Sequence, residues 1–157
     1  MGFEGGDVNL YAYVGNNPIL LIDPDGLWTL QIGWSVSGGA GGGGTYGKGI
    51  VFGYSKEKGF QWGTYKAFGG GGYGGAGGSL AVDITVSGNT DIRQLAGQGG
   101  SVGGSGQYGL ATAGLEVNIN QGAEPSYTFS AGVGLPVGTF VEQHGYATKT
   151  TIKPCKK

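Results

Sequence analysis

Several things are scarce in this chain, and each scarcity excludes something. Cys155 is the only cysteine among 157 residues, so no internal disulfide and no cysteine-based zinc site can form. His144 is the only histidine, which with few carboxylates gives little for a metal to bind; no metal and no cofactor is expected. Charged residues make up 12%, about half the usual share, so charge repulsion does not hold the chain open. Apolar runs are short: Ile19 to Ile22 is the longest made only of aliphatic residues, far below the roughly 20 residues of a membrane-spanning helix. Residues 1–27 have neither the basic start nor the apolar centre of a signal peptide.

Glycine, in contrast, is abundant: 39 of 157 residues. That is about a quarter, against roughly 7% in ordinary proteins. The glycines follow no three-residue period, which excludes collagen. An aromatic share of 11% argues against disorder. Charge is divided unevenly. Residues 1–27 hold Glu4, Asp7, Asp23 and Asp25 with no Lys or Arg, whereas residues 28–157 carry a balance of +3. This break marks a boundary near residue 27. A balance of +3 is too weak for nucleic-acid binding, which needs a clustered basic face.

Residues 1–27 read as a hairpin-like tail of strand, turn, strand, turn. Val8 to Val14 forms the first strand. Asn16-Asn17-Pro18 makes a turn, because the proline pushes Asn17 out of helical conformations. Asp23-Pro24-Asp25-Gly26 places Asp, Pro and Gly where a type I turn wants them. The wording Asn9-Leu10-Tyr11-Ala12-Tyr13, then Asn16-Asn17-Pro18, then Asp23-Pro24-Asp25-Gly26-Leu27 resembles the end of the core region of bacterial RHS-repeat proteins. The resemblance covers about the first sixth of the chain. It implies a parent protein whose repeats build a hollow β-shell, with Met1 inside that longer chain. The variable domain after the motif is commonly a toxin or effector in this family, and it implies an immunity protein as a further partner. It also implies delivery to the cell surface or outside as part of the parent.

In many members of that family the shell cuts the chain after the leucine of this motif, which here falls between Leu27 and Trp28. The implied chemistry is that of an aspartyl protease, in which two carboxylates share one proton. Asp23 matches one of them and its upstream partner is absent, so this chain alone is not expected to cut itself. As a residue read without the family, Asp23 caps a turn.

From Trp28 onward the dominant signal is period two. Trp28, Leu30, Ile32, Trp34 and Val36 alternate with Thr29, Gln31, Gly33, Ser35 and Ser37. Similar alternation runs through Ile50–Tyr54, Phe60–Phe68, Leu80–Val86, Leu115–Ile119 and Tyr127–Leu135. Thr90 to Gly97, with a capping Thr, an early acid and a terminal Gly, predicts a short helix near 90–96. The expected fold is all-β: an antiparallel glycine-rich meander, closed into a barrel of about eight strands. Runs such as Gly38 to Gly44 and Gly69 to Gly78 suit kinked strands or loose loops equally. With 34 glycines after residue 27, placing half in strands costs on the order of 10 kcal/mol. Glycine must then supply what alanine lacks, which is room for a tightly curled sheet or a close backbone approach.

Few residues suggest chemistry. Gly42 to Gly49 nearly spells a phosphate-binding loop, but Gly49 replaces the required Ser/Thr and a strand follows instead of a helix. Glu142 and His144 share a strand face and suit a base with its orienter, although no nucleophile is marked beside them. Asp83 and Arg93 suggest an ion pair. Cys155 reads as a solvated thiol on a loose tail. Strict alternation from Trp28 is long enough for a transmembrane strand, and also suits a soluble barrel. Three functional readings follow: a non-enzymatic effector or accessory module, one version of which perturbs membranes; an enzyme toxin with an unrecognised site; and a structural or adhesive module. The arrangement from Asp91 to Gly97 through Gly134-Leu135-Pro136-Val137 looks like a recurrent tail of RHS-repeat proteins.

Overall fold

A computed structural model describes residues 28–155, with backbone only at 137–140. The alternating segments form four long strands: β1 (Trp28–Ser55), β2 (Gly59–Ser87), β3 (Gly97–Asn120) and β4 (Ser126–Pro154). They make one antiparallel sheet in the order β1-β2-β4-β3. The all-β antiparallel expectation therefore holds. Two details differ. Among the described residues there are four long strands where about eight short ones were expected, because the glycine runs stay in the ladder: Gly38 pairs with Gly78, and Gly42, Gly43 and Gly44 pair with Gly72, Gly71 and Gly70. The order is also not a meander, since β4 lies between β2 and β3. The connection 88–96 carries the chain past the place β4 later fills.

A straight strand of 28 residues would be roughly 90 Å long. These strands instead bend near mid-length. Register shifts fall between Ala40 and Gly41, between Gly74 and Gly78, and between Gly109 and Ala111. Gly41 and Gly109 adopt φ of 76° and 64°, left-handed values that a Cβ disfavours. Past the bend, β1 returns against itself. A Cβ at Gly33 would clash with the Lys48 carbonyl oxygen and lie 3.0 Å from the Gly49 Cα. At the opposite edge β3 does the same. A Cβ at Gly103 would sit 2.6 Å from the Leu115 oxygen, and the Gln121 N–H donates to the Gln98 oxygen at 3.1 Å. Both edge strands thus meet their own continuations, which removes exposed edges that would recruit other chains.

Bending gives the sheet an inner and an outer surface, and small and polar residues occupy the inner one. Thr29, Gln31, Asp83, Thr85, Ser101, Gln107 and Glu142 are buried, while Ile32, Trp34, Val82, Ile84, Phe129 and Val133 are exposed. The inner surface is held by hydrogen bonds between short hydroxyls, Ser37 to Ser79 at 2.8 Å and Thr85 to Thr128 at 2.7 Å.

The buried hydrophobic cluster is small: Val51, Tyr65, Ile92 and Leu95, with Ala67 and Ile152 against it. It lies at the end where the strand-connecting turns gather. Ile92 and Leu95 come from a 3-10 turn, Ile92–Leu95, shorter than the helix expected at 90–96. Its cap is Asp91 where Thr90 was expected. The Arg93 N–H donates to Asp91 Oδ1 at 2.9 Å, and the Asp91 N–H donates to Gln94 Oε1 at 3.1 Å, a reciprocal capping box. Lys58 Nζ lies 2.6 Å from Asp91 Oδ2, and Asn120 Nδ2 donates to the Leu95 oxygen at 2.9 Å. Burying Ile92 and Leu95 contributes roughly 1.5–3 kcal/mol each, so this turn stoppers one end of the polar interior.

Candidate functional site: a polar interior between two unlike outer faces

The interior encloses a cavity of about 130 Å³, lined among others by Ser35, Tyr73, Asp83, Ser105, Glu116, Glu142, His144 and Tyr146. Strand alternation aims Glu142, His144 and Tyr146 inward from β4, Asp83 from β2 and Glu116 from β3. Glu142 and His144 do share a face, as the sequence suggested. They are not bonded to each other. His144 Nε2 lies 2.7 Å from Glu116 Oε2, while the Ser105 hydroxyl donates to Glu142 at 3.2 Å. The His144 ring stacks on Tyr146 with centroids 4.7 Å apart. Glu116 gives His144 an orienting carboxylate, but Ser105, the hydroxyl nearby, is spent on Glu142. An acid–base pair is present without an activated nucleophile.

Asp83 does not pair with Arg93. It points into the interior, where burial pushes its carboxyl up to about 6, assisted by the Glu116 charge and opposed by a hydrogen bond from Ser35. Arg93 is exposed on the 3-10 turn, and its N–H serves the Asp91 cap. Burial raises the Asp91 carboxyl, but the Lys58 ammonium and the Arg93 N–H outweigh it and hold the group below the usual range. Residues 42–49 continue β1 directly, so no helix N-terminus stands behind the phosphate-loop lookalike. Cys155 is half-buried, and its N–H donates to the Trp62 oxygen at 3.0 Å, so this part of the tail is tied down and not loose. Among the described residues no group of three or more His, Cys, Asp or Glu is placed to hold a metal. The motif residues Asn9 to Leu27, with Asp23, lie outside the described residues; β1 begins at Trp28.

The outer surface divides into two unlike faces. Across 28–40, 78–87, 126–135 and 111–120 the register stacks four rows. They are Leu30–Val86–Tyr127–Val117, Ile32–Ile84–Phe129–Leu115, Trp34–Val82–Ala131–Ala113 and Val36–Leu80–Val133–Ala111. All sixteen positions are apolar or aromatic, and the twelve largest, Leu30 apart, are 39–60% exposed. The other halves of the strands present a mixed face. Lys48 pairs with Lys66, Lys66 with Thr151, Phe68 with Lys149 and Thr64 with Lys153. Every strand lysine among the described residues points outward on this face, and every strand acid points inward.

Sequence reasoning missed this separation, as it missed Glu116 and Ser105. Glu116 sits in an alternating run like any other, and only the sheet order brings it to His144. Comparison with protein-family models, with curated proteins and with solved structures finds no match. No helix among the described residues is long and apolar enough to cross a membrane, which leaves strands unaddressed.

Proposed function

We propose that residues 28–157 are a non-enzymatic, lipid-associating β domain, the C-terminal effector or accessory domain of an RHS-repeat, polymorphic-toxin-like protein. The RHS context rests on the motif ending at Leu27; the shell of the parent and an immunity protein are the partners it brings, with surface delivery. The lipid reading rests on one observation, the sixteen-position apolar lattice exposed over a polar interior. Four strands and four rows give it a footprint of roughly 500 Å², at the upper end for the largest apolar patch of an ordinary monomer. Only the Trp34 indole and the Tyr127 hydroxyl bring polar atoms to it. Protein interfaces carry about one hydrogen bond per 100–200 Å², whereas hydrocarbon needs none. The backbone beneath is satisfied within the sheet, as burial in lipid requires.

The domain lays this face on the bilayer and does not cross it. Lys48 and Lys66, near the middle of their half-strands, would otherwise face hydrocarbon at about 2–4 kcal/mol each. The test is flotation and dye release with the full chain and phosphatidylcholine vesicles. Binding with a blue shift of tryptophan emission is expected, and Ile84→Asp, at the lattice centre, should bind at least tenfold more weakly. Neither binding nor leakage by the folded chain would refute the lipid reading. Expression inside bacteria then separates a toxin, which arrests growth, from a harmless accessory or adhesive module.

A further inference from the structure

Glu142 is 6% exposed, the Ser105 hydroxyl donates to it, the Tyr73 ring lies alongside, and among the described residues no Lys or Arg shares its cavity. A buried carboxylate without a cationic partner is costly. Elsewhere in the same cavity Glu116 has His144, and no Lys or Arg is among the lining residues. A second observation is independent of the acids. Tyr146 is 4% exposed, lines the cavity, and its hydroxyl has no hydrogen-bond partner. A buried phenol without a partner is an unsatisfied group. The free volume of about 130 Å³ is room for several waters or one small organic ion. The far end is stoppered by Ile92 and Leu95. At the bends, Gly75 and Gly77 stand over Glu142: a Cβ at Gly77 would lie 3.1 Å from Glu142 Oε1.

We propose that this cavity binds a small organic cation of the ammonium type, with Glu142 as counter-ion and the Tyr146 oxygen as a second acceptor. A metal ion fits less well, because no three ligating groups converge among the described residues. An ammonium donates hydrogen bonds to both oxygens, and its alkyl side suits the Tyr73 and Tyr146 rings. The proposal does not depend on lipid binding, so failure of either leaves the other standing.

The experiment is an NMR and calorimetric titration of the full chain with methylammonium chloride, with sodium chloride and sodium acetate at matched ionic strength. Saturable binding of methylammonium alone is expected, with shifts at Tyr146. Glu142→Gln should weaken it at least tenfold and Tyr146→Phe severalfold, with circular dichroism unchanged. If Glu142→Gln does not fold, Tyr146→Phe and Ser105→Ala carry the comparison. No saturable binding, equal binding by folded Glu142→Gln or, failing that, by both substitutes, or the same response to sodium would overturn the proposal.

Discussion

Two glycines on β1 and β2 distinguish glycine as a requirement from glycine as mere abundance. A Cβ at Gly49 would clash with the Ile32 carbonyl oxygen and lie 2.5 Å from the Gly33 Cα, both backbone atoms of the returning half of the same strand. A Cβ at Gly72 would meet nothing within 4 Å. Gly49→Ala therefore forces the two halves of β1 apart. Overpacking typically costs 1–3 kcal/mol, and with a backbone neighbour that has no rotamer to yield, about 3 kcal/mol is expected. Gly72→Ala should instead stabilise by roughly 0.4–1 kcal/mol, by restricting the unfolded chain. The difference of about 4 kcal/mol lies far outside the error of denaturant unfolding followed by tryptophan fluorescence. The midpoint should fall for Gly49→Ala and rise slightly for Gly72→Ala, with unchanged slopes. Equal midpoints for the two variants would refute the close approach of the halves of β1.

The other predictions follow the interior charges and the stopper. Asp83 is an acid whose folded pKa, about 6, lies above its unfolded value, so the fold binds its proton more tightly. Stability should fall as pH rises from about 4 to 6, and Asp83→Asn should recover up to ~2–3 kcal/mol above that window; parallel midpoint-against-pH curves for the two proteins would refute this. Asp91 is shifted the opposite way, so its contribution is present above the unfolded carboxylate range and lost as pH falls through its lowered folded pKa. Asp91→Ala should cost about 1–2 kcal/mol at neutral pH, through lost cap and ion pair, and nothing in strong acid. Leu95→Ala should cost about 2–5 kcal/mol in the same unfolding assay and raise amide exchange along 88–96, where unchanged exchange would mean that the stopper is not held by packing.

The strands were legible because alternation survives any tertiary context. Trp28 to Val36 and Leu80 to Val86 could hardly be anything else. The direction of the faces was not legible. Period two says that Ile32 and Gly33 point opposite ways, but glycine, serine and threonine are equally at home against a lumen, a tight backbone contact or water. Only the return of Gly49 onto Gly33 decides that the small side is inside. The strand count failed for a related reason: glycine marks a loop in most sequences, yet here Gly70 to Gly72 keep their ladder partners on both sides. His144 was visible as a lone titratable group. Its partner Glu116 is 28 residues away on β3, a distance set by sheet order and by nothing local.

The two outer faces allow a direct test of how the domain meets a bilayer. If it crossed as a ring of strands, Lys48 and Lys66 would face hydrocarbon, and Lys48→Leu with Lys66→Leu should strengthen vesicle binding by several kcal/mol, at about 2–4 kcal/mol for each lysine near the midplane. If only the apolar lattice touches lipid, both lysines stay in water. The double variant should then bind as the unaltered chain does, and binding should vary little with salt, because the contact is apolar and the lysines, more than a Debye length of about 10 Å at 0.1 M from the bilayer, stay in water. Flotation of the double variant beside Ile84→Asp reads both surfaces in one experiment. Loss of binding in Ile84→Asp with no change in the double variant supports one-sided docking. A large gain in the double variant refutes it and assigns the lysine face to the membrane as well.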